Sequence, residues 1–169
     1  MRVHRRPLIP FLALAVVFSV AGCAPPAPSP AATTTFASDE EAFAAAEETY
    51  RGYIAAGNDG TDATRFLIGP ALASEIDLSR TLSDQNLAMV GASGFDHFVG
   101  VDATVNVKVA TVVARVCLDV SDTRIIDEGG ADVTPESRAD RWLLSITFVG
   151  DKSGLLISDS TADDDDGSC

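Results

Sequence analysis

Two patterns divide the chain, an α-type periodicity followed by β-type alternation. Phe43, Ala46, Tyr50, Tyr53 and Ile54 recur at helical spacing, while Glu47, Glu48 and Arg51 fall on the other face. Ser38-Asp39-Glu40-Glu41 reads as a capping box at the start of that helix, and Gly57-Asn58 as its stop. Between Asp62 and Ala92 the spacing predicts short helical pieces punctuated by Gly69-Pro70 and Gly91. Leu72, Ile76, Leu78, Leu82, Leu87 and Val90 are their expected buried positions.

From Phe95 onward Val, Thr and Ile dominate and the period drops to two. Val112, Ala114, Val116, Leu118 and Val120 form one face of a strand, opposite Thr111, Arg115, Cys117 and Asp119. Trp142, Leu144, Ile146 and Phe148 give another apolar stripe, expected in the core, and Leu155 with Ile157 a further one. Asp127-Glu128-Gly129-Gly130 marks a turn, and Asp151-Lys152-Ser153-Gly154 a hairpin loop. Helices first and strands after predict an α+β domain with antiparallel pairing.

The N-terminal segment carries an address. Arg2, His4, Arg5 and Arg6 precede an apolar run from Phe11 to Ala21. Eleven or so residues at about 1.5 Å each reach roughly half of a ~30 Å hydrocarbon layer, so the run is a signal-peptide core. Arg5-Arg6 also touches the twin-arginine export pattern, though paired arginines are common in ordinary leaders. Val20-Ala21-Gly22-Cys23 resembles a bacterial lipobox. The resemblance implies cleavage after Gly22, diacylglycerol on Cys23, and a protein lipid-anchored on the extracytoplasmic face of the cell membrane. Four prolines and no charge between residues 24 and 35 predict an extended spacer. The expected organisation is thus a signal peptide over 1–22, a lipidated Cys and linker over 23–37, a domain over 38–160, and an acidic tail over 161–169.

Charge narrows the partners. The chain carries −13 overall, and loss of Arg2, Arg5 and Arg6 with the leader makes it more negative still. Such a surface repels phosphate backbones, which excludes nucleic acid as a partner. The membrane, through the lipid on Cys23, and an envelope protein or a small ligand remain.

The order of a long helix, short helices and a curved antiparallel sheet of four to five strands is similar to the cone fold of the SnoaL-like, ketosteroid isomerase and nuclear transport factor 2 superfamily. Val116-Cys117-Leu118-Asp119-Val120-Ser121, the Asp/Gly turn and the closing Cys resemble small actinobacterial lipoproteins assigned there. In SnoaL-like enzymes acid/base residues line the cone's cavity. The resemblance therefore directs attention to Tyr50, Tyr53, His97 and Asp102, with Asp96 beside His97.

Adjacent residues on a regular strand point to opposite faces, so Asp96 is not expected to orient His97. The bland alternative for His97 is an exposed residue at a strand edge. Once Cys23 is assigned to lipid, Cys117 and Cys169 remain as an even pair in an oxidising compartment. A bridge between them is expected on the less apolar side of the sheet; two free thiols are the alternative. One histidine in the processed chain excludes a multi-histidine metal centre, and no phosphate loop, nucleophile elbow or complete calcium loop occurs. These features predict a non-catalytic binding or interaction module without a cofactor. A small enzyme or carrier using the cavity of such a cone is the alternative.

Overall fold

The computed structural model describes residues 35–163 and Cys169. The leader, the lipobox and most of the spacer and acidic run lie outside those residues. Helix α1 (Asp39–Asn58) begins at Ser38, whose hydroxyl accepts from the Glu41 amide at 3.3 Å. The Glu41 carboxylate returns to the Ala37 amide, so the box closes on the residue before the cap. Ala42, Ala46, Tyr50 and Ala56 are buried, with Phe43, Tyr53 and Ile54 packed partly against them.

The core also takes in Phe36, only 4% exposed, and the Thr35 amide donates to the Asn106 carbonyl at 3.0 Å. Both residues were expected in the linker. The packed chain therefore begins at least three residues before Ser38, because a single aromatic can be buried without belonging to any periodic stripe.

A 3-10 turn over Ala63–Phe66 leads into helix α2 (Gly69–Asp84). Gly69-Pro70 opens one continuous helix and does not punctuate two pieces. Gly69 turns the chain at φ 60°, and Pro70 sits in the first turn, where its missing N–H leaves no hydrogen bond unmade. The expected burial of α2 also fails. Ala71 is its one buried residue; Leu72 and Leu82 are half-buried, and Ile76 and Leu78 are each 44% exposed. Leu87 is half-buried in the loop beyond it, and Val90 is exposed in a short strand, β1 (Ala88–Val90).

The remaining strands are β2 (Gly94–Val105), β3 (Ala110–Asp119), β4 (Arg124–Ile126), β5 (Arg141–Asp151) and β6 (Gly154–Ala162). An antiparallel sheet runs β2-β3-β5-β6, and β1 pairs with β4 as a separate antiparallel ribbon. The molecule is thus α+β, with two helices packed on antiparallel sheets. The alternation read from β3 holds as far as Val116; beyond it Leu118 and Val120 are only half-buried, and Cys117 on the opposite face is buried. Val112, Ala114 and Val116 are buried against Ile146, Phe148, Leu155 and Ile157. Trp142 is the exception in its stripe: at the start of β5 it is 40% exposed. The Gly130 amide donates to the Asp127 carbonyl at 2.9 Å in the expected turn. Asp151 pairs with Gly154 across the expected hairpin.

α1 approaches β2 closely at Gly100, where a Cβ would run into the Phe43 ring. Only glycine admits that contact, which seats the helix on the sheet. No helix among the described residues is long and apolar enough to cross a membrane.

Candidate functional site

Two places gather the residues singled out in the sequence, and they lie in different parts of the domain. The first is a cavity of about 570 Å³. α1 supplies Tyr50, Tyr53 and Ile54 to its wall, α2 supplies Ala71, Glu75, Leu78 and Leu82, and the sheet supplies Leu118, Leu144 and Ile157. Its size falls within the range of small-molecule sites, roughly 300–1,000 Å³.

The position of the two tyrosines follows from helical spacing, three residues apart on the inner face of α1. Tyr50 is 2% exposed and packs edge-on against Phe95, with ring centroids 4.9 Å apart. Tyr53 is half-buried, and its hydroxyl donates to Glu75 Oε2 at 3.1 Å, which ties α1 to α2. Burial pushes both phenols well above their ordinary range; the Tyr53 ring adds to this at Tyr50, and the Glu75 charge adds to it at Tyr53. Both rings therefore stay neutral near pH 7, and Tyr53 acts as a donor.

Glu75 was not anticipated from sequence. It stands on the α2 stripe of Ala71, Leu78 and Leu82, at i+4 from Ala71 and i−3 from Leu78. A carboxylate interrupting an apolar stripe was the available signal.

His97 and Asp102, expected beside the tyrosines, do not line this cavity. Asp102 is exposed on β2 beyond a register shift between Gly100 and Asp102. His97 lies in the second place, at the other irregularity in β2, between Asp96 and Val99. There its backbone takes φ 50°, and the ring Nδ1 sits 2.7 Å from Asp96 Oδ1. The expectation that Asp96 cannot orient His97 is therefore wrong. It assumed unbroken alternation, and a bulge breaks alternation at that residue.

Asp96 Oδ1 also accepts from Arg141 Nη2 at 2.6 Å, while Arg141 Nη1 reaches Asp119 Oδ2 at 3.0 Å. Arg141 foremost, and then His97, hold the Asp96 carboxyl below its usual range. The Ser121 hydroxyl and amide do the same for Asp119. The His97 side chain is 73% exposed, so the group is a solvated ion-pair network.

Cys117 underlies this network, since Asp96 is its cross-strand partner on β2. It stands at disulfide distance from Cys169, with Cα atoms 5.5 Å apart across 52 residues of chain. As expected, it lies on the face opposite Val116, among Arg115, Asp119 and Asp96, yet it is only 3% exposed. Closing a loop of that length stabilises by about 4 kcal/mol in the chain-entropy description. The entry to the acidic run is fixed as well. The Asp163 amide donates to Leu143, and its carboxylate meets Arg115 Nε at 2.7 Å.

Asp96, His97 and Cys117 offer ligand atoms within 4.8 Å of one another. With the Cys117 sulfur shared with Cys169, the trio reduces to a His–Asp pair already engaged by Arg141, a poor donor set for a metal. A scan of protein-family models and a search of curated proteins return no match to this chain.

Proposed function

We propose that this chain is a membrane-anchored extracytoplasmic lipoprotein, held by lipid on Cys23, whose domain binds a small ligand non-catalytically. The observation that carries the binding half is the cavity of about 570 Å³ between α1, α2 and the sheet, with Tyr53 and Glu75 hydrogen-bonded in its wall. The anchoring half rests on the sequence alone: a basic start, a short apolar core, Val20-Ala21-Gly22-Cys23 and an uncharged proline-rich spacer. In this reading the fold is a cone of the SnoaL-like kind. Its support is the element order and a cavity walled by the helices on one side and the sheet on the other.

A small enzyme acting in the same cavity is the second reading, and the Tyr53–Glu75 pair is what favours it. Against it, no histidine, lysine or cysteine is among the lining residues, so acid/base work in the cavity would fall to Glu75 alone.

The anchor is tested with Cys23→Ala in the intact chain. Wild type should partition into detergent and carry the mass of acyl chains on the processed N-terminus. The variant should lose both, appearing in the aqueous phase or as an unprocessed precursor. Unchanged partitioning and mass in the variant would remove the lipoprotein reading.

A further inference from the structure

The charge in the cavity wall says more than its size. No lysine, arginine or histidine is among the lining residues, and Glu75 is the one formal charge among them. Glu75 makes no salt bridge among the described residues, and the hydrogen bond it accepts there comes from neutral Tyr53. A carboxylate offers about four acceptor sites, so one phenol leaves it well short of its capacity. A cation entering the cavity would meet that carboxylate with no competing positive charge on the wall. Elsewhere in the domain the carboxylates of Asp96, Asp119 and Asp163 each have an arginine.

The rest of the wall specifies the body of the ligand. Ile54, Leu78, Leu82, Met89, Leu118 and Leu144 present apolar surface around the carboxylate. Tyr53, half-buried in the wall, adds an aromatic ring, a group whose face attracts ammonium ions. We infer that the cavity takes hydrophobic amines: an apolar body with a protonated nitrogen that pairs with Glu75. The same carboxylate repels fatty acids and phosphate esters, so it acts as the specificity determinant of the site. This inference rests on the cavity being a binding site, and the test below separates the two.

A matched trio on one phenylbutyl scaffold, 4-phenylbutylamine, 4-phenylbutanol and 4-phenylbutyrate, isolates the head group from the body. Each is titrated calorimetrically into the full processed chain in phosphatidylcholine nanodiscs, with empty discs as the blank. The amine should bind about tenfold or more tighter than the carboxylate, as a charge-assisted hydrogen bond supplies, with the alcohol between them. Glu75→Gln should erase the ranking; Tyr53→Phe, which keeps the charge, should preserve it.

Equal affinities for the three in wild type, or tighter carboxylate binding, would overturn the inference and leave the cavity reading standing. Binding of none of the three would overturn both. If Glu75→Gln does not fold, the ranking in wild type together with Tyr53→Phe still decides.

Discussion

The two helices are close in length, 20 and 16 residues, and both carry an apolar stripe, yet they are used in opposite ways. α1 starts at a capped Ser38 and buries four residues against β2, β3 and β6. α2 starts at Ile68 with no side-chain cap, buries only Ala71, and packs mainly along β6. Backbone bends at Gly69, φ 60°, and Asn86, φ 52°, bracket it. α1 is a structural member that packs Ala42, Ala46 and Tyr50 into the core; α2 is the outer wall of a cavity, and Leu78 and Leu82 of its apolar stripe line that open space. The difference teaches that an amphipathic pattern shows where a helix wants cover, not that protein supplies it.

Truncations at equivalent places should expose this contrast. Tyr50→Ala removes a ring packed on Phe95, Phe98 and Tyr53 and should destabilise the domain by about 3–5 kcal/mol, read from urea unfolding midpoints. A loss near 1 kcal/mol would mean that α1 is no better packed than α2. Ile76→Ala on α2 is the small counterpart. At 44% exposure it should shift stability by no more than about 0.5 kcal/mol in the same assay. A loss of several kcal/mol there would show that α2 is covered in solution by something outside these residues.

Much of the architecture was legible because one face of each core element meets protein. The α1 stripe and the β3 alternation both led directly to buried residues, and the Cys117–Cys169 pair followed from counting once Cys23 was set aside. What escaped was set by tertiary context. Leu78 reads as a core leucine until one knows that a cavity lies under it. Asp96 and His97 read as back-to-back strand residues until a bulge turns them together, and a bulge leaves no sure mark in a sequence without glycine at that position. The four candidates for the pocket came from the resemblance to SnoaL-like cones. Tyr50 and Tyr53 line the cavity because helical spacing sets them on the inner face of α1, whereas the fold carries His97 and Asp102 elsewhere.

Amide hydrogen exchange of the full processed chain in nanodiscs, with and without 4-phenylbutylamine, tests most directly whether α2 walls a binding site. Without ligand, peptides from 69–84 should exchange faster than those from 39–58, since α2 buries less and opens at lower free energy. At saturating amine, protection should rise in 69–84 and around Tyr53, and stay unchanged over the Asp96–His97 bulge. Protection that leaves 69–84 unaltered, or that appears only at the bulge, would contradict the account.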